Sequence, residues 1–371
     1  MNVIKTRAGS LYVHIPYCIS KCNYCVFVST PDIMSVNDYI SKLREEIFYW
    51  NPGGLDTVFI GGGTPSILST EQFTKIGDAI SKSFALNINA EFTVECNPAT
   101  LDPDKIECYR TFGVNRISIG CQSFNEKMLK ILGRVHSTED IYKVVEIVNS
   151  AGIDNFGFDL IYGLPGQDVK LFSKDLELAV SLVPKHLSLY ALELEEGAQL
   201  YEECRNGKIQ CPKDDVVAGM YEFACEYLHG KGYRHYEISN FALPGFECKH
   251  NMVYWQNREY IGAGVAACGY IRGERYRNTS SILEYLNSKI PERGQVEYTE
   301  KLESPAKDAE RVILGLRTDD GVELSVEESV MFMPVFDKFK EYGLLEIEGN
   351  RVSFTRKGML LSNQVFREIV V

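Results

Sequence analysis

The first half of the chain alternates short apolar runs with stretches whose apolar residues recur every three or four positions. The runs Leu11–Pro16, Thr57–Ile60, Glu91–Cys96, Arg116–Gly120, Phe156–Tyr162 and His186–Leu192 read as strands. Several are nearly continuous, as expected for parallel strands covered on both faces. Between them lie amphipathic helices. Val36, Tyr39, Ile40, Leu43 and Ile47 fall on one helical face, with Ser35 or Asn37 as the cap, and Phe73, Ile76, Ile80 and Phe84 repeat the pattern. Six β-then-α units in succession predict an α/β fold, a partial (β/α)6 barrel, because a closed barrel of this kind takes eight.

Beyond Leu192 the pattern loosens. A helix is expected at Val216–His229 and a strand at His235–Ser239, followed by a loop rich in Pro, Gly and aromatics from Phe241 to Tyr270. Helical spacing returns at Ala306–Arg317. The C-terminal stretch reads helix, helix, hairpin, with Gly349-Asn350 turning between Leu344–Ile347 and Val352–Thr355. This predicts a small winged-helix-like unit, and the chain divides into a partial barrel (1–200), an extension (201–295) and a C-terminal unit (296–371).

Composition narrows the function classes. A net charge of −12 argues against nucleic acid or an anionic membrane as partner, so the winged unit is expected to pack rather than read DNA. No apolar run is long enough to span a bilayer, and Met1–Ser10 lacks the apolar centre of a signal peptide. A cytoplasmic location is expected. Of the eleven cysteines, eight are scattered and read as buried thiols, whereas Cys18, Cys22 and Cys25 form a C-x3-C-x2-C run directly after the first strand.

Thiolates on so short a loop can converge on an iron–sulfur cluster. Three cysteines for a four-iron cluster leave one iron free to chelate the amino and carboxylate groups of S-adenosylmethionine. Zinc, with His14 as a fourth ligand, is the rival. Other polar groups sit at strand ends: Gly61, Gly62, Gly63, Thr64 and Pro65 after the second strand, Glu95 closing the third, Gln122 after the fourth and Asp159 on the fifth. In a parallel barrel such positions meet at one mouth, where ligands bind.

Four stretches carry a resemblance. They are Tyr12-Val-His-Ile-Pro-Tyr-Cys18 continuing to Cys25, Phe59-Ile-Gly-Gly-Gly-Thr-Pro-Ser66, Gly120-Cys-Gln-Ser-Phe124 and Asp159-Leu-Ile-Tyr-Gly-Leu-Pro165. In this order they resemble the radical S-adenosylmethionine (SAM) family of HemN and HemW, the oxygen-independent coproporphyrinogen III oxidase and its heme-chaperone relatives. The resemblance implies a [4Fe–4S] cluster on Cys18, Cys22 and Cys25. It places Tyr12, Gly62 and Glu95 against the cluster-bound SAM, with Tyr24 beside it. In the oxidase branch it gives Gly63, Thr64, Gln122, Arg134, Asp159 and Ala191 to a second SAM molecule.

Two features separate the branches. The oxidase has a fourth cysteine where this chain has Phe27, and the chaperone branch has a motif implicated in heme contact that matches His250-Asn-Met-Val-Tyr-Trp255. An imidazole ligates heme iron and aromatic rings cover a porphyrin face. The expected function is therefore a heme chaperone that hands heme to an acceptor protein, with His250, Tyr254 and Trp255 as heme contacts on a mobile loop. The alternatives are a radical SAM oxidoreductase acting on a tetrapyrrole and a zinc-stabilised binding protein.

Overall fold

The computed structural model describes residues 4–5, 8–51 and 53–370. Its frame is six strands, β1 (Ser10–Ile15), β2 (Gly54–Gly62), β3 (Ala85–Cys96), β4 (Arg116–Gln122), β5 (Phe156–Tyr162) and β6 (His186–Ala191). They pair in chain order, each parallel to the next. The crossovers carry α1 (Val36–Tyr49), α2 (Thr70–Ser83), α3 (Pro103–Thr111), α4 (Glu126–Ile131), α5 (Thr138–Ser150) and α6 (Val169–Ser181). The fold is the expected partial barrel.

The strands show a period of two that their apolar look conceals. Leu11, Val13, Ile15, Val58, Ile60, Phe92, Val94, Ile117, Ile119, Phe158, Leu160, Leu187 and Leu189 are buried and share one core with Tyr39, Ile40, Leu43 and Ile47 of α1 and Phe73, Ile76 and Ile80 of α2. The alternate positions include His14, Thr57, Thr93, Glu95, Arg116, Ser118, Asp159 and Ser188. Side chains of neighbouring strand residues point to opposite faces. One face therefore seats the helices and the other is polar, which corrects the reading of strands apolar on both sides. α2 starts at Ser69, whose side chain and that of Gln72 form a capping box. Ser35 precedes α1 but makes no cap bond, because its hydroxyl meets Tyr17 Oη at 2.8 Å.

After β6 come α7 (Gln199–Arg205), α8 (Asp214–Gly230), β7 (Arg234–Glu237) and β8 (Asn240–Ala242); β8 pairs antiparallel with β6, and β7 pairs antiparallel with β8 at the edge of the sheet. The segment expected as a loop contains α9 (Lys249–Trp255), β9 (Ile261–Ala263) and β10 (Cys268–Ile271). β9 adds to β1 in parallel, so the nine strands run β9-β1-β2-β3-β4-β5-β6-β8-β7 and the barrel stays open. β10, β11 (Glu274–Asn278), α10 (Ile282–Asn287) and β12 (Val296–Glu300) form a small antiparallel annex.

The C-terminal unit has α11 (Ala306–Leu316), β13 (Val322–Glu323), α12 (Val326–Glu341) and the expected hairpin, β14 (Leu345–Glu348) with β15 (Arg351–Phe354). Two helices missed in the sequence follow, α13 (Arg356–Leu360), capped by the Thr355 hydroxyl, and α14 (Ser362–Ile369). The unit is fastened to β7: Arg234 pairs with Asp319 at 2.6 Å, and Glu237 bridges Thr318. Among the described residues no helix is long and apolar enough to cross a membrane.

Candidate functional site

The loop leaving β1 is held before any ligand arrives. The Cys18 amide donates to the Thr30 carbonyl at 3.0 Å, and Asn23 donates through its backbone and its side chain to the carbonyls of Leu132 and Ile131, each at 2.9 Å. Arg134, just past α4, donates to Cys22 Sγ at 3.4 Å and to the Gly120 carbonyl at 2.7 Å. Burial pushes the Cys25 thiol up.

The glycine loop packs beneath it. Gly63 and Thr64 donate their amides to the Ile15 and Tyr17 carbonyls, both at 2.8 Å, and Thr64 Oγ1 lies 3.5 Å from Cys18 Sγ. A Cβ on Gly63 would stand 2.7 Å from the Tyr17 carbonyl oxygen, and one on Gly61 2.7 Å from the Glu95 carboxylate. At Gly62 φ is +108°, a region that favours glycine, and a Cβ would meet the His14 ring at 2.6 Å. These glycines are thus set by close packing of the loop on the first and third strands.

Glu95 accepts the Gly62 amide at 3.1 Å. Burial, then the nearby Asp159, push its carboxyl up to about 8, against the pull of the Gly62 bond and Arg116. It is therefore mostly protonated at neutral pH, and a cationic amine beside it would draw the proton off. Burial also raises Asp159, which accepts from Ser118 at 3.2 Å. A register shift between β4 and β5 leaves Gln122 at φ +67°, costing about 1–3 kcal/mol for a residue other than glycine.

Cys18, Cys22, Cys25, Tyr24, Gly62, Gly63, Thr64, Glu95, Gln122, Arg134, Asp159 and Ala191 all line one cavity of about 690 Å³. Its remaining wall includes Ile161, Leu189 and Leu192 of the barrel and Met359 and Leu360 of α13. Spacing and strand ends, with the family resemblance for Tyr24, Arg134 and Ala191, named residues on the barrel side of this cavity and none on its C-terminal side.

Three spread cysteines suit a cluster, in which each thiolate takes its own iron. Among the described residues no three His, Cys, Asp or Glu side chains converge closely enough for a single ion. His14, the fourth ligand of the zinc reading, has both ring nitrogens engaged, Nδ1 with Tyr12 Oη at 3.1 Å and Nε2 with the Val28 carbonyl at 2.9 Å. The donor set fits the cluster better than zinc.

Tyr12, His250, Tyr254 and Trp255 stand outside the cavity lining. Tyr12 stacks on Phe59 and lies 6.5 Å, centroid to centroid, from His250. His250 is no loop residue. It is 1% exposed in α9, with Nδ1 2.7 Å from Thr57 Oγ1 and Nε2 2.8 Å from Tyr254 Oη. Burial, with Arg116 adding to it, pushes its ring down to about 3, so it is neutral at physiological pH. The start of α9 rests on Glu91, which accepts the Lys249 and His250 amides at 3.1 Å each. Cys248, which precedes α9, is buried on the same carboxylate, its thiol pushed up to about 12 chiefly by burial. The segment expected as a loop is therefore a helix, with both His250 ring nitrogens and the Cys248 thiol engaged in hydrogen bonds.

Sequence reading missed Glu91, Thr57 and Arg116, which underpin α9 or the polar face. Arg116 is 2% exposed, and its two-residue spacing from Ser118 was the available signal.

Residues 12–179 match the radical SAM superfamily, and residues 307–361 match the HemN C-terminal domain. A protein named heme chaperone HemW from Lactococcus lactis subsp. lactis (strain IL1403) is 38% identical over 378 residues, covering 98% of each chain. Its namesake from Bacillus subtilis (strain 168) is 35% identical over 375 residues, covering 96% of this chain and 98% of that one. Among solved structures, the radical SAM enzyme coproporphyrinogen III oxidase (HemN) from Escherichia coli superposes with a TM-score of 0.85 at 23% identity, covering 99% of this chain and 91% of that chain. That likeness shows a shared fold. Superfamily membership implies a [4Fe–4S] cluster and SAM, and the cysteine and glycine loops line one cavity. With close similarity running from end to end, the chain belongs to the HemW family of radical SAM proteins.

Proposed function

We propose that this protein is a heme chaperone, which binds heme and passes it to an acceptor protein. The observation that carries the reading is the full-length similarity to proteins named heme chaperone HemW. The cavity supports it, since about 690 Å³ with apolar residues on the barrel and α13 sides lies in the range of small-ligand sites.

In this reading Cys18, Cys22 and Cys25 hold the cluster. Gly62 and Glu95 receive SAM beside it, and Gly63, Thr64, Gln122, Arg134, Asp159 and Ala191 line the space beyond. When bound, the cluster supplies one-electron chemistry toward SAM. The chain supplies the rest: Arg134 donates to Cys22 Sγ, and Glu95 offers a carboxyl whose proton leaves as a cationic amine arrives. Engagement of heme iron by His250 requires α9 to give up the Thr57 and Tyr254 bonds, so the His250–Trp255 segment contributes in an opened state or as the scaffold behind Tyr12.

The test is anaerobic reconstitution with iron and sulfide, heme titration followed at the Soret band, and mixing of the loaded protein with an apo-hemoprotein. Heme should bind and then move to the acceptor. When the reduced protein is given coproporphyrinogen III it should form no protoporphyrinogen IX, in keeping with Phe27 at the position of the oxidase's fourth cysteine. Multiple-turnover formation of that product would overturn the reading in favour of an oxidase.

A further inference from the structure

Three cations line the cavity among the described residues: Lys21, Arg134 and Arg317. Lys21 lies on the cysteine loop, and Arg134 is committed to Cys22 and the Gly120 carbonyl. Arg317 is different. It follows α11 in the C-terminal unit and is fixed by its backbone, whose carbonyl accepts the Ile238 amide at 3.1 Å. Its guanidinium lies 4.3 Å over the Trp255 ring, a stacking that fixes the fork's plane without using its donors.

The polar side of that guanidinium is incompletely used. Nε is buried with no hydrogen-bond partner, and the closest carboxylate oxygen, Glu237 Oε2, is 3.7 Å from Nη2, beyond hydrogen-bond length. Glu237 is fully buried, its other oxygen takes the Ser239 amide and the Asn240 side chain, and Oε2 has no hydrogen-bond partner. About a quarter of the Arg317 side chain is solvent-accessible, and the residue is part of the cavity lining. A planar, pre-oriented fork with spare donors, in the same lining as Ile238, Met359 and Leu360, is suited to take a carboxylate.

We propose that Arg317 is the carboxylate anchor of the cavity, pairing with a propionate arm of the heme whose ring covers the apolar wall. This rests on the heme-binding reading above. It also assigns Trp255 the task of positioning Arg317 from behind, so that the His250–Trp255 motif acts on heme without supplying a ligand to its iron.

The probes are hemin and hemin dimethyl ester, which has the same ring with both carboxylates masked, titrated into the full-length, cluster-loaded protein. Wild type should bind hemin about tenfold more tightly than the diester, the ratio one charge-assisted hydrogen bond gives. Arg317→Gln should bind hemin about tenfold more weakly and the diester unchanged, whereas Arg317→Lys should keep part of the preference. Iron content and thermal midpoint serve as folding controls. Equal binding of the two probes by wild type overturns the proposal without any variant, and so does an Arg317→Gln loss that is the same for both probes, which would make Arg317 a structural residue while heme binding stands. If wild type binds neither probe, the heme reading fails and the anchor fails with it.

Discussion

At the scale of single residues, the site depends on groups held away from their ordinary state. Glu95 is the sharpest case. Its carboxyl is raised from 4.5 to about 8, so the folded state holds its proton over a range in which the unfolded chain has lost it. The contribution to stability is full below pH 4.5 and is lost as pH rises through about 8. Cluster-free Glu95→Gln should therefore lose the part of the pH dependence lying between those limits and should exceed wild type in urea midpoint above pH 8. Parallel curves for the two proteins would show that Glu95 does not titrate this way. The cysteines allow a simpler test: with Cys18, Cys22 and Cys25 all changed to Ala, iron and sulfide uptake should fall to background although eight cysteines remain. These residues were legible because their spacing is local. Arg317 was not, because its importance comes from Trp255 and the cavity, which are distant in sequence.

The element that most changes meaning on folding is α9. Its sequence, with a histidine among aromatics after a Pro- and Gly-containing stretch, suggests an exposed and adaptable loop. Tertiary packing makes it a short helix whose first amides rest on Glu91 and whose His250 side chain joins Thr57 to Tyr254. A seven-residue helix is marginal alone, so these bonds are what keep it formed. His250→Ala should lower the stability of the heme-free protein by about 1–3 kcal/mol, because Thr57 and Tyr254 lose a buried partner. A calorimetric midpoint measured without heme checks this. An unchanged midpoint, with heme binding lost, would return His250 to the role of direct ligand.

At the scale of the whole molecule, the cavity is a joint product of the barrel and the C-terminal unit. Met359 and Leu360 of α13 face the same space as the cysteine loop. The unit is held there by Arg234 with Asp319 and by the Glu237–Thr318 bridge. Leu360→Asp should weaken heme binding roughly tenfold by placing a charge on the apolar wall, while leaving iron content after reconstitution unchanged. Parallel loss of iron and heme would instead mean that α13 supports the cysteine loop rather than the ligand.

What the sequence determined by itself is whatever rests on local repetition: strand and helix order, the cysteine and glycine loops, and the delivery of polar residues to strand ends. A parallel sheet in chain order converts those positions into one mouth, so Cys18, Gly62, Glu95, Gln122 and Asp159 could be grouped without coordinates. Tertiary structure decided which face of each strand is polar, that α13 closes the cavity, that His14 and His250 have no ring nitrogen free, and that Arg317 lies on Trp255. Each of these depends on desolvation and contacts between residues far apart in the chain, and burial, which sets the protonation of Glu95 and His250, exists only once those contacts have formed.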